Sequence, residues 1–143
     1  QSGFATRTWC VKSDVQIRDG FVEVRGKTIS GVKNRGIGVV FRFQDANNYY
    51  TVRASANERN VALHKVVDGV RKTVVHSSDE IEIPDATWHT LRVEFSGIKS
   101  SVLLNGRVIF RIWDETFVHA GAVGLLTSSD SVTLFDDFVF GAH

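Results

Sequence analysis

The sequence predicts an all-β domain, two antiparallel sheets packed face to face as a jelly-roll sandwich. Three observations carry that expectation. Apolar and polar residues alternate with period two through most of the chain. Turn dipeptides punctuate the alternation, Asp68-Gly69 and Asn105-Gly106 most clearly, and these residue types tolerate the positive φ that two-residue hairpins require. Helical periodicity is hard to find: Asp114 to His119 would make one short turn, and nothing longer is convincing.

The elements follow in chain order. Cys10 falls in the first strand and reads as a small buried hydrophobe. Val15 to Ile29 reads as a strand pair, or one long bent strand, broken at Asp19-Gly20. In the next strand Val39, Phe41 and Phe43 share one face, and Val40, Arg42 and Gln44 the other. A tight polar turn, Asp45-Ala46-Asn47-Asn48, leads to a strand with Tyr50, Val52 and Ala54 facing the core. Tyr49, Thr51 and Arg53 then face outward. Asn60 to Val67 is a strand, and Asp68-Gly69 turns it into Val70 to His76. Ile83-Pro84-Asp85 opens a turn before Trp88. Leu91, Val93 and Phe95 alternate inward, and Asn105-Gly106 joins Ser101–Leu104 to Val108–Trp113. Val123 to Thr127 and Val132 to Phe140 complete roughly ten to twelve strands, a number that a single open sheet would carry only with an apolar face in water. No linker, repeat or low-complexity segment divides the chain, so residues 1–143 are read as a single β-sandwich domain.

Composition narrows the function. At 143 residues, a domain can bury roughly 68–70% of its unfolded surface without a disulfide framework. None is available within the chain, because Cys10 is the only cysteine. The 17 basic and 16 acidic residues leave a net charge of +1, and the basic ones are scattered over different strands. That is no nucleic-acid footprint. No apolar run approaches the ~18 residues of a membrane helix, and no signal peptide is visible. The lack of methionine marks the chain as a processed product or a fragment.

The run Gly38-Val39-Val40-Phe41-Arg42-Phe43, with Asp45 and Asn48-Tyr49-Tyr50, resembles the concanavalin A-like, laminin-G-like jelly-roll domains of bacterial extracytoplasmic proteins. The resemblance continues through Lys65-Val66-Val67-Asp68-Gly69, Trp88-His89-Thr90-Leu91-Arg92-Val93 and Leu104-Asn105-Gly106. It closes with Gly121-Ala122-Val123-Gly124-Leu125 and Phe135-Asp136-Asp137-Phe138. The order and spacing are similar to the branch labelled 3-keto-disaccharide hydrolase, or family 16 glycoside hydrolase-like, over Asp14 to Phe140. The resemblance implies two sheets, one concave, with ligands on the concave face or at its rim.

Catalysis finds little support in the residues. Glycoside hydrolysis needs two carboxylates about 5–10 Å apart, one with a raised pKa. The Glu-x-Asp-x-x-Glu pattern of retaining enzymes with this fold is absent. Glu80-Ile81-Glu82 reads as a solvated loop before Pro84, and the adjacent Asp114 and Glu115 would face opposite ways on a strand. Asp136 and Asp137 interrupt an apolar final strand, so they must be paired, bonded to backbone or coordinated to a cation. Calcium suits carboxylate and carbonyl oxygens, and related sandwiches carry structural calcium. The alternative is one Asp on backbone N–H groups and one in solvent. The five histidines lack zinc spacing, and Gly36-Ile37-Gly38 leads into a strand, which excludes a dinucleotide fingerprint.

The reading is therefore a non-catalytic, lectin-like domain that binds carbohydrate, secreted or periplasmic, acting as a module beside other domains of a larger protein. Arg42, Tyr49, Arg53, His64 and Lys65 would line the concave face, with arginine forks and the tyrosine hydroxyl reading sugar hydroxyls or a carboxylate. The alternative for His64 is a surface or packing residue; Trp88 seals a sheet edge, and a sugar-stacking role stays open for Trp88 or Trp113. Two alternatives remain open: a glycoside or 3-keto-disaccharide hydrolase, and a structural or self-associating module pairing through edge strands.

Overall fold

The computed structural model describes residues 7–31, 36–84, 86–128 and 131–143. Eleven strands are found there: β1 (Arg7–Val11), β2 (Gly20–Gly31), β3 (Gly36–Asp45), β4 (Asn48–Ser55), β5 (Asn60–Val67), β6 (Val70–His76), β7 (His89–Ser96), β8 (Lys99–Leu104), β9 (Arg107–Trp113), β10 (Ala122–Ser128) and β11 (Ser131–Ala142). They form a six-stranded sheet, β1-β10-β3-β4-β5-β6, and a five-stranded sheet, β11-β2-β7-β8-β9. Every pairing is antiparallel. No helix among the described residues is long and apolar enough to cross a membrane.

The core follows from alternation. On the six-stranded sheet Ile37, Val39 and Phe41 of β3, Tyr50, Val52 and Ala54 of β4, and Val61 and Leu63 of β5 turn inward. Val22 and Val24 of β2, Leu91, Val93 and Phe95 of β7, and Val102 and Leu104 of β8 meet them from the other sheet. The Phe41 ring stacks between Tyr50 and Phe95, with centroids 5.1 and 5.0 Å away, and so joins the two layers. Burying each such side chain is worth about 1.5–3 kcal/mol.

Both two-residue hairpins form as expected. Asp68 and Gly69 have φ of 51° and 81°, and Asn105 and Gly106 have 52° and 83°, the left-handed pairs of a type I′ turn. The β3–β4 turn is an Asx turn, with Asp45 Oδ1 accepting from Asn47 N–H at 2.8 Å and Asn48 Nδ2 at 3.0 Å.

Four expectations need correction. The alternation of β3 breaks at Arg42, whose φ is 48°. The β3–β4 register shifts after Phe41, so Arg42 turns inward and Phe43 outward, the reverse of strict alternation. Cys10 is exposed, not buried, because β1 is the outermost strand of its sheet. The expected strand from Val15 begins only at Gly20; the preceding stretch is a connection, with Ile17 in an isolated bridge to Gly121. Asp114 to His119 is not helical. Asp85, in the expected Pro84 turn, lies outside the described residues.

Candidate functional site

Residues directly opposite each other in antiparallel strands share a face. The outer face of the six-stranded sheet can therefore be read from its register. One row is Gly38, Arg53, Ala62 and His76, and the next is Val40, Thr51, His64 and Thr73. Tyr49, Val66 and Arg71 form a third. Asn60 faces Ser55 at one end.

This face has a polar half and an aromatic half. In the polar half Arg53 donates from Nη2 to Glu58 Oε2 at 3.2 Å. Glu58 is placed by the β4–β5 turn, where its N–H donates to Ser55 Oγ at 3.1 Å. Thr51 donates its hydroxyl to the Val39 carbonyl at 3.0 Å. His64 is buried, and its Nδ1 pairs with Thr73 Oγ1 at 3.1 Å. Burial first, and then the positive charge of Arg53, lower the His64 pKa below that of a free imidazole, so the ring is neutral at neutral pH. Three polar atoms here are buried with no hydrogen-bond partner among the described residues: Arg53 Nε, Asn60 Oδ1 and His64 Nε2. In the aromatic half Phe43 and Tyr49 stack at 5.4 Å, and the Trp9 ring meets both edge-on at 5.2 and 6.1 Å. Val40, Val66 and Leu126 pack beneath them.

Tyr49, Arg53 and His64 of the expected set thus share one face, although Tyr49 is largely covered. Arg42 does not join them. It is 1% exposed, and its guanidinium donates to the carbonyls of Arg18 (2.6 Å), Gly97 (2.6 Å) and Phe117 (2.8 Å). Asp19 Oδ1 lies 3.5 Å away. Lys65 is also displaced from the expected face. It sits opposite Tyr50 on the inner side, where Nζ donates to Asp114 Oδ2 at 3.1 Å and Thr116 Oγ1 at 2.9 Å. Tyr50 donates its hydroxyl to Asp114 Oδ1. Burial alone would raise the Asp114 pKa, but hydrogen bonds from Tyr50, Thr116 and Lys65 outweigh it and bring it down to about 2. Tyr50 is pushed up to about 12, mainly by burial and then by Asp114.

The two candidate calcium ligands lie on the other sheet. Asp136 accepts the N–H of Asp137 on Oδ1 and has Arg25 at 3.7 Å on Oδ2. Asp137 occupies a bulge with φ of 50°. Calcium takes 6–8 oxygen ligands, and among the described residues no group of three or more His, Cys, Asp or Glu gathers as a metal site. The neighbouring Arg25 already partners one of these carboxylates. Glu80 and Glu82 are solvated beside Arg59. Arg25 and Lys27 both lie over the Trp88 ring, and Trp113 is exposed on β9.

With this geometry in place, solved structures supply the comparison. A Bacillus subtilis carbohydrate-binding module, CBM66, matches with a TM-score of 0.83 at 22% identity, over 94% of this chain and 81% of that one. The fold is that of the galectin-like sandwiches. CG-16, a homodimeric agglutinin from chicken liver, matches with a TM-score of 0.72 at 13% identity, over 94% of this chain and 100% of its own. Chicken galectin 2 matches with a TM-score of 0.68 at 10% identity, over 95% and 100%. No family model and no curated protein matches this chain.

Several residues of this face escape a reading of the sequence. Asn60 and Thr73 follow from period two once the strand register is fixed, and Glu58 is invisible without the turn. Trp9 is far from Phe43 and Tyr49 in the chain, and β10, pairing with β1 on one side and β3 on the other, brings them within reach.

Proposed function

We propose that this chain is a non-catalytic carbohydrate-binding module of an extracytoplasmic protein, and that it reads an oligosaccharide on the outer face of the six-stranded sheet. One observation carries the reading. Arg53 Nε, Asn60 Oδ1 and His64 Nε2 are buried, unpaired among the described residues and grouped on two neighbouring strands of one face. Each such atom costs about 1–3 kcal/mol while it stays unpaired, and a polar ligand that displaced the side chains covering them would complete the cluster. Donor and acceptor chemistry in one patch suits hydroxyl pairs, which both give and take hydrogen bonds. The aromatic half offers apolar surface for a sugar ring face. From the Arg53 row to the Tyr49 row is about 13 Å, four residues of strand rise, which suits more than one sugar ring. The carbohydrate-binding module, agglutinin and galectin among the structural neighbours support the same ligand class.

The hydrolase alternative needs a second carboxylate within about 5–10 Å of the first. At this site Glu58 holds Arg53, and the neighbouring groups are Thr51, Asn60, His64 and Thr73.

A glycan array run with the native protein, Arg53→Ala and His64→Ala tests the reading, with thermal melting as the control for folding. The native protein is expected to select a defined set of glycans, and each variant to bind them about tenfold or more weakly, the loss of one or two charge-assisted or buried hydrogen bonds. Binding by folded variants at native strength, or no glycan bound by the native protein, would overturn it.

A further inference from the structure

We propose a second saccharide site, on the outer face of the five-stranded sheet, that takes an acidic sugar. The register of β7, β8 and β9 sets six side chains there in two rows: Ser96, Lys99 and Trp113, then Glu94, Ser101 and Arg111. Their chain neighbours Phe95, Ser100 and Val102 are buried on the opposite side. A cleft of about 170 Å³ opens beside the rows, lined by Glu94, Ser96, Lys99, Ser101, Phe95 and His143.

Three features point to a ligand. First, Trp113 is 59% exposed. A large flat ring left in water forgoes burial free energy that the fold could have used. Trp88, just before β7, differs in being half-buried, with Arg25 and Lys27 over its ring at 4.7 and 5.0 Å. Second, the charges are unbalanced. Glu94 accepts from Arg92 Nε at 2.8 Å, so its charge is already answered. Lys99 and Arg111 have no carboxylate partner among the described residues; Lys99 lies only over the Trp113 ring, at 5.8 Å. Third, hydroxyl and carboxylate groups stand in the adjoining cleft, where they can meet sugar hydroxyls.

The chemistry of the site follows. The indole face takes the C–H face of a sugar ring. Lys99 and Arg111 pair with its carboxylate or sulfate, Arg111 as a planar fork. Ser101, Ser96 and the free lone pairs of Glu94 take the hydroxyls. The site lies on the sheet opposite Arg53 and His64, so it stands or falls independently of them.

The test is calorimetric titration with three oligosaccharides of equal length: an oligogalacturonate, a sulfated galactan and a neutral galactan. The protein is used native and as Trp113→Ala, Arg111→Ala, Arg53→Ala and Lys72→Ala, each checked by thermal melting. At least one acidic probe is expected to bind about tenfold or more tightly than the neutral one, and Trp113→Ala and Arg111→Ala each to lose about tenfold. Whether the uronate or the sulfated arm binds identifies the acidic group. Trp113→Phe, which keeps a stacking ring, is expected to retain most of the binding. Arg53→Ala should bind the acidic probe normally. Lys72→Ala, which removes one exposed charge on another strand, should also leave binding intact. No acidic probe bound at millimolar concentration overturns the proposal. So does equal binding of the neutral probe, an effect of Lys72→Ala as large as that of Arg111→Ala, or loss with Arg53→Ala rather than Trp113→Ala.

Discussion

Three backbone carbonyls, from Arg18, Gly97 and Phe117, end on the single guanidinium of Arg42. Truncation to alanine leaves them without a donor inside the protein. Arg42→Ala is expected to destabilise by about 3–5 kcal/mol, read as a lowered urea midpoint, and a midpoint near the native one would contradict this placement. His64 makes a different prediction. It is buried against Thr73 and faces the Arg53–Glu58 pair. Its folded pKa lies below the unfolded value of 6.5, so both states are neutral well above that pH and no penalty operates. As pH falls through about 6.5, the unfolded chain takes up a proton that the folded one refuses, and stability declines. Melting curves from pH 8 to 5 should show this decline in the native protein and a shallower one in His64→Gln. At this scale the sequence was only partly legible. Arg42 and Arg53 look alike in a period-two pattern, and one bulge at Arg42 sends them to opposite sides of the sheet.

Among the elements, the hairpins were the most legible. Asn105-Gly106 and Asp68-Gly69 declare their turn type because few other residues accept positive φ at both central positions. Gly106 has open space around its absent Cβ, so Gly106→Ala carries only the conformational cost of φ +83°, about 1 kcal/mol. Gly121 is the opposite case. A Cβ there would lie 2.5 Å from the Arg42 carbonyl carbon and 2.6 Å from Phe43 N, where backbone cannot yield. Gly121→Ala is expected to cost more than Gly106→Ala, about 1–3 kcal/mol, by displacing the bulge. Equal urea midpoints for the two variants would argue against that close approach. No local signal announces Gly121 as special, because its neighbour at Arg42 is brought there only by the pairing of β10 with β3.

For the whole molecule, the two-sheet architecture was legible from alternation and turns, whereas the assignment of functional side chains to faces required the strand register. Lys65 illustrates the gap: next to His64 in the chain, it points between the layers toward Asp114. Asp114 follows β9 of the five-stranded sheet and is held by Tyr50 and Lys65 of the other, so it clasps one layer to its partner. Its folded pKa of about 2 lies below the unfolded 3.8. The clasp therefore contributes fully above about pH 4 and is lost as pH falls toward 2, an effect of at most about 2 kcal/mol, reduced by solvent screening. Asp114→Asn should flatten the acid limb of a stability profile over that range. Calcium at Asp136 and Asp137, with Arg25 3.7 Å from Asp136 Oδ2, is checked by melting with and without EDTA: a clear drop in melting temperature supports it, and an unchanged one counts against it.

The strand order also dictates when the molecule can assemble. β1 has no neighbour until β10 arrives, and β2 waits on one side for β11, so each sheet is finished by chain from near the opposite end of the sequence. Loop-closure entropy must be met before those contacts exist. Refolding after dilution from denaturant should accordingly run on the order of milliseconds to seconds, as for other sandwiches of high contact order. During synthesis, β1 and the outer edge of β2 stay without their partner strands until the final stretch of the domain has left the ribosome.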